Sequence, residues 1–219
     1  MGLNANNAGN ANFKREILDA GVFPGRLVQV IDYGLQTQRP YLGQEKPPMQ
    51  EIGLTYELAD EFMKDEEGKD IPEKPRWISE TLPFHNVNAD RAKSTQRYRA
   101  MDPDNVANGD FGRLLGTPIN ITIAINEGTG KNKGKKFENV AGLAPMRAKE
   151  VEKLPKLVNV PKFFDLDKPD LEVFKSFPKW VQDKIKSNLN FNGSPLAVLL
   201  GENVVEAPKE PVEDNEPPY

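Results

Sequence analysis

The side chains in this sequence that could do chemistry are mainly basic and aromatic, and the densest group lies in a glycine-rich loop. Residues 128–136 contain no acid and four lysines: Lys131, Lys133, Lys135 and Lys136. A phosphate-binding loop of the nucleotide hydrolases needs the spacing G-x-x-x-x-G-K-[ST] between a strand and a helix, and this loop lacks that spacing. The composition is typical of an arm whose lysines bind a polyphosphate backbone as point charges. A solvated hairpin tip that merely discourages aggregation would have the same composition.

Trp77 is the aromatic side chain best placed for binding. Residues 75–83 alternate with a period of two, so Ile78 and Leu82 should face the core and Trp77 should point away from it. An exposed Trp on a sheet can stack on a nucleic-acid base, which contributes about 1–3 kcal/mol per base. Burial of Trp77 beneath a later helix is the alternative.

Further candidates flank this tryptophan or lie in neighbouring segments. The stretch 88–101 is rich in bases and could border the same groove, or it could be an ordinary solvated helical face. Together with aromatic residues in the predicted strands and loops, the candidates are Arg76, Arg91, Arg97, Arg99, Tyr33, Tyr41 and Tyr98.

Enzyme chemistry finds little support in the composition. The chain has no Cys and one His, which excludes disulfides, thiol catalysis, Cys-ligated zinc and metal sites that need two imidazoles. The acids between 60 and 73 lie in a predicted flexible loop, which fixes no coordination geometry. Only Glu51, Glu57 and Glu80 are placed on ordered strands where a nuclease would need them. We therefore predict no catalytic residue, no metal and no cofactor.

Hydrophobic periodicity defines the elements that must position these side chains. Alternating patterns predict strands over residues 25–34, 49–59, 75–83, 118–126 and 137–143. The stretch 88–101 is predicted to be a helix, and a short helix could occupy 13–20. Proline in the first turn marks two further helices, over 169–175 and 178–189. The predicted order is three strands, a helix and two strands, followed by helices.

Charge divides the 219-residue chain into segments. The net charge is −4, but residues 202–219 hold six acids and one base and so carry −5 by themselves. We expect a flexible N-terminus over 1–12, a binding domain over 13–145, a helical extension over 146–200 packed on it, and a disordered acidic tail over 201–219. The longest aliphatic run is 196–200, and the N-terminus has no secretory pattern, so we expect a soluble intracellular protein.

The predicted element order is that of an OB-fold, a five-stranded Greek-key barrel whose ligands cross the second and third strands. With an acidic tail that ends in an aromatic residue, the chain resembles the bacteriophage single-stranded DNA-binding proteins. The phrases that look like theirs are Phe-Pro-Gly-Arg-Leu-Val-Gln-Val at 23–30, Lys-Pro-Arg-Trp-Ile at 74–78 and Gly-Asp-Phe-Gly-Arg-Leu at 109–114. The resemblance covers residues 20–145 and the tail, and residues 146–200 contain no motif of that family.

The resemblance implies a protein of the host cytoplasm that coats single-stranded DNA, largely without sequence preference, during phage replication and recombination. It implies that Trp77 stacks on bases, that Arg76 and the four loop lysines follow phosphates, and that Arg91, Arg97 and Arg99 lie at the margin. The tail, through Glu213, Asp214, Glu216 and Tyr219, would bind replication partners such as DNA polymerase or helicase and compete for the DNA groove. No membrane partner is implied, and the oligomeric state is left open, although some members dimerise.

Two other functions fit the same residues. A structural or scaffold phage protein could use the basic surface and the tail for assembly alone. A nuclease or nuclease accessory could use the outward acids in the same groove.

Overall fold

The computed structural model describes residues 16–40 and 42–202, and most of the regular structure in them is β-strand. The strands are β1 (Gly21–Gln36), β2 (Met49–Lys64), β3 (Asp70–Pro83), β4 (Pro118–Glu127), β5 (Lys136–Pro145) and β6 (Lys162–Phe164). The helices are α1 (Lys93–Met101), α2 (Ala148–Val151), α3 (Leu171–Lys175), α4 (Lys179–Lys186) and α5 (Pro195–Leu200). The prediction of a mainly β fold with additional helices is confirmed.

The strands form one sheet in the order β3-β2-β1-β4-β5, and each neighbouring pair is antiparallel. β1 pairs with two strands along one edge. Its residues 21–26 pair with β4, and its residues 29–31 pair in parallel with β6. In the pairing of β1 with β2 the register shifts twice, after Leu27 and after Asp32 of β1. Such bulges bend a strand and increase its twist. The sheet therefore curves into a barrel-like shape around its inner face.

Ion pairs and α1 join the two outer strands. The Arg76 guanidinium of β3 lies 2.7 Å from the Glu138 carboxylate of β5. Arg97 of α1 reaches both strands, since it pairs with Glu80 of β3 and donates to the Val140 carbonyl of β5. Within the described residues no hydrogen-bonded ladder connects β3 to β5. The helix and the two ion pairs thus connect these strands where backbone pairing is missing.

Two hydrophobic clusters lie on opposite faces of the sheet. The inner cluster contains the alternating isoleucines of β4, namely Ile119, Ile121 and Ile123, together with the inward side chains of β1–β3 and Tyr98 of α1. The outer cluster packs residues 164–197 against Ile31 and Tyr33 on the outward side of β1. Burying β1 on both faces explains why apolar residues run almost continuously through it.

Several sequence-based boundaries need correction. The acidic segment 60–74 is not a long loop, because β2 continues to Lys64 and β3 starts at Asp70, which leaves a tight turn between them. Residues 16–20 are not helical, and residues 13–15 of that predicted helix lie outside the described part. α1 begins at Lys93, later than predicted, and the short strand β6 carries no clear periodic signal. In the described ranges no helix combines the length and the apolar character of a membrane crossing.

Candidate nucleic-acid interface

An open groove lies on the outward face of β1–β3, between the sheet and the C-terminal extension. Its volume is about 400 Å³. The sheet supplies the floor and the first helices of the extension supply one wall. The residues that line it include Gln29, Tyr33, Gly53, Thr55, Trp77, Ser79, Thr81, Lys162, Ser176, Trp180 and Val181.

The floor combines a polar row with an aromatic ring. Gln29 donates to the Thr55 hydroxyl at 3.3 Å, and that hydroxyl lies 3.0 Å from the Ser79 hydroxyl, so one hydrogen-bonded row crosses three strands. Beside it the ring of Tyr33 covers Gly53, where an added Cβ would lie 2.6 Å from a ring carbon. Burial raises the pKa of Tyr33 to about 12, so this phenol stays neutral. The polar row can therefore offer hydrogen bonds to an uncharged group.

Trp77 lies on this outward face, as the alternation of β3 predicts, and its side chain is half-buried. Its indole N–H donates to the Glu57 carboxylate across the β2–β3 ladder at 3.2 Å. That carboxylate also accepts the backbone N–H groups of Val158 and Asn159 and the Asn159 side-chain amide. Four donors thus hold Glu57, and Glu57 orients the indole. A fixed aromatic face at the groove is suited to stacking, because its entropy has already been reduced in the folded protein.

The lysine-rich hairpin leads into β5, and the ion pair between Arg76 and Glu138 joins β5 to β3 next to Trp77. β3 and β5 run in the same direction, so Trp77 is one residue beyond this ion pair and Lys136 is two residues before it. Trp77 and the hairpin therefore lie on opposite sides of this ion pair along the strand direction. The predicted lysines Lys131, Lys133, Lys135 and Lys136 are all exposed. Four exposed cations thus lie before or at the start of the strand that is tied to the strand of Trp77.

Three predicted binding residues lie inside the molecule. Arg76 is paired with Glu138, and Arg97 makes two bonds to Glu80, at 2.8 and 3.1 Å. Tyr98 is in the inner cluster, with its hydroxyl 2.8 Å from the Asp102 carboxylate and accepting the Gly109 N–H. We correct the expectation that these side chains border a surface groove, because each is buried and already has its polar partners. Their role is to hold β3, β5 and α1 together.

The remaining predicted residues are distributed over different places. Tyr33 contributes to the groove floor but is 3% exposed, which leaves little of its ring for a ligand. Arg91 is exposed in the turn before α1, and Arg99 is exposed on α1 with Asp90 at 2.8 Å. Tyr41 lies outside the described residues, as do the tail residues Glu213, Asp214, Glu216 and Tyr219.

The acids that a nuclease would require are engaged elsewhere. Glu51 accepts Lys184 at 2.6 Å, Glu57 holds Trp77, and Glu80 holds Arg97. In residues 16–40 and 42–202 no three acidic or histidine side chains are grouped so as to hold a metal ion. Each of these three carboxylates thus has a basic or N–H partner within the fold.

Sequence reasoning missed three residues that line the groove or flank the lysines of the hairpin. Trp180 of α4 is 64% exposed and lines the groove, whereas Val181 beside it is buried. Lys162 lines the same groove and donates to the Ser176 hydroxyl at 3.0 Å. Phe137, next to the lysines of the hairpin, is 43% exposed. The period of α4 could have identified Trp180, because buried positions 181 and 185 leave position 180 on a different side of the helix.

Comparisons with known proteins add no family to this geometry. No protein-family model, no curated protein and no solved structure matches this chain.

Proposed function

We propose that this protein binds single-stranded DNA on the outward face of β1–β3, and that its barrel is an OB-fold. The strand order β3-β2-β1-β4-β5 and the helix between β3 and β4 support the fold assignment, because both are features of that topology. The function is the one implied by the resemblance to phage single-stranded DNA-binding proteins, largely without sequence preference and without turnover.

One observation carries the proposal: an oriented, half-buried Trp77 lines an open groove on a protein that also presents a hairpin with four exposed lysines. Aromatic platforms next to a basic track are the usual means of binding single strands. Bases within a duplex are covered by their neighbours, so stacking on Trp77 requires an unpaired base. Lysines bind phosphates whatever the base, which fits binding that is weakly dependent on sequence.

The proposal extends to the partners implied by the tail. Residues 202–219 carry −5 and end in Tyr219. An acidic segment of this composition can dock on a replication protein and can compete with DNA for a basic surface.

Titration of the full chain with fluorescently labelled oligothymidine tests the DNA-binding function. We expect saturable binding that is much stronger for the single strand than for a duplex of equal length and that weakens steeply with salt. Trp77→Ala should weaken binding about 5- to 150-fold, which corresponds to the loss of about 1–3 kcal/mol of stacking. Trp77→Phe should recover part of the affinity because it keeps an aromatic ring.

The alternatives make different predictions for the same samples. A scaffold protein would assemble without DNA and show no affinity for the oligonucleotide. A nuclease would cut the labelled strand when a divalent cation is added, and replacing Glu51 and Glu80 would abolish the cutting. Either result, in place of saturable binding, would overturn the proposal.

A further inference from the structure

The C-terminal extension forms a wall of the groove and does more there than cover apolar surface. α4 docks on the outward face of β1 through Val181 and Ile185, which belong to the outer cluster. Trp180 does not take part in this docking, because it is 64% exposed while its neighbour Val181 is buried. The largest side chain of α4 is thus left facing the groove that Trp77 lines from the sheet.

The extension is held firmly enough to give Trp180 a fixed position. Lys184, one helical turn after Trp180, pairs with Glu51 of β2 at 2.6 Å and stands 5.0 Å from the centre of the Tyr33 ring. Asn188 accepts the backbone N–H of Leu35 at 2.9 Å, and Gln36 donates to the Lys184 carbonyl at 3.0 Å. Because these contacts are spread along α4 and the residues after it, the helix cannot pivot without breaking them.

A cation completes the same wall. Lys162 of β6 lines the groove, and it is positioned by the parallel pairing of β6 with β1. Its ammonium donates to the Ser176 hydroxyl, a neutral partner, so its positive charge is still available to an anionic ligand.

We infer that the extension supplies a second base-binding platform, Trp180, and a phosphate contact, Lys162, so that a bound strand lies along the groove between Trp77 and α4. This inference rests on the proposed function and assigns residues 146–200 a part in it. Trp77, Ser79 and Thr81 line the groove along β3, a length of about 14 Å at 3.4 Å per residue. The path is therefore long enough to hold more than one nucleotide.

Oligothymidines of increasing length, titrated against the full chain, test the inference. Trp180→Ala should weaken binding about 5- to 150-fold for oligomers long enough to reach both platforms. Its effect should fade for the shortest oligomers, whereas Trp77→Ala weakens binding at every length. Trp180→Phe should restore part of the loss. Leu189→Ala is the matched control, since Leu189 is an apolar residue of the same extension, is 50% exposed and does not line the groove.

The outcomes separate this inference from the proposed function. Affinity of Trp180→Ala equal to that of the wild type at all lengths, together with a loss in Trp77→Ala, would overturn the inference and leave the proposed function intact. Absence of binding by the wild type would overturn both. An equal loss in Leu189→Ala would also overturn the inference, because it would mean that the extension acts through its stability alone. Urea unfolding of each variant checks that the fold is retained.

Discussion

Replacing Arg97 by methionine should destabilise the fold by about 3–5 kcal/mol, which is the usual cost of removing one partner from a buried ion pair. The Arg97 side chain is 5% exposed, that of Glu80 is 11% exposed, and two hydrogen bonds join them. Methionine keeps the helix propensity and most of the length of arginine. After the substitution, Glu80 retains the Tyr56 hydroxyl as a partner, and the Val140 carbonyl loses its donor.

Arg99→Met is the matched control, because it changes the same residue type on the same helix. The Arg99 side chain is 49% exposed and that of its partner Asp90 is 75% exposed, so this pair is screened by solvent. Surface pairs contribute about 0–1 kcal/mol. Urea unfolding at constant pH, followed by circular dichroism and extrapolated linearly, measures both variants.

A second substitution tests the physical reason for the loss. In Arg97→Met the deficit should come mainly from an uncompensated Glu80 carboxylate, so adding Glu80→Gln should return part of the stability. DNA affinity per folded molecule should stay near that of the wild type, because Arg97 does not reach the groove. If Arg97→Met lowers the free energy of unfolding by less than about 1 kcal/mol, as expected for the control Arg99→Met, the assignment of Arg97 to a buried structural pair is refuted.

Three other predictions concern charge. Burial raises the pKa of Asp32, so its ionised form costs stability at neutral pH, and that cost disappears as the pH falls through the raised folded pKa. Asp32→Asn should therefore be more stable than the wild type at pH 7 and lose this advantage as the pH falls through that folded pKa. Lower stability of the variant at pH 7 in urea unfolding would contradict the assignment. Replacing Lys131, Lys133, Lys135 and Lys136 by Gln should reduce the slope of log affinity against log salt by up to about 2.8, at about 0.7 per phosphate contact. The double variant Lys168→Gln with Lys175→Gln is the control. An unchanged slope in the hairpin variant would show that the hairpin is not part of the interface. Deleting residues 206–219 should strengthen binding to oligothymidine if the acidic tail competes for the groove, so unchanged or weaker binding in the same titration would count against competition.

The strands of the barrel could be predicted from the sequence because burial on one face of a strand imposes a period of two. The isoleucines of β4 and the alternation around Trp77 show this directly, and the structure places Trp77 on the outward face as predicted. The boundaries of β2 and β3 were less accessible, because the acidic ends of these strands pair with each other and carry little apolar pattern.

The identity of the basic and aromatic side chains was readable in the sequence, but their partners were not. Arg97 and Arg99 are two residues apart on one helix, and only the packing of α1 between β3 and β5 decides that Arg97 is buried against Glu80 while Arg99 is exposed. Tyr98 looks like a stacking residue in the sequence and becomes part of the inner cluster for the same reason.

By itself, the sequence determined the mainly β fold with its helices, the outward direction of Trp77 and the lysine content of the hairpin, because these follow from local periodicity and composition. The tertiary structure decided which cations are free and what forms the groove. Trp77 and Trp180 are separated by about a hundred residues, and they line one groove only because β6 pairs with β1 and α4 docks on its outward face. Contacts between segments so distant in the chain depend on the packing of whole elements, which no local pattern of residues encodes.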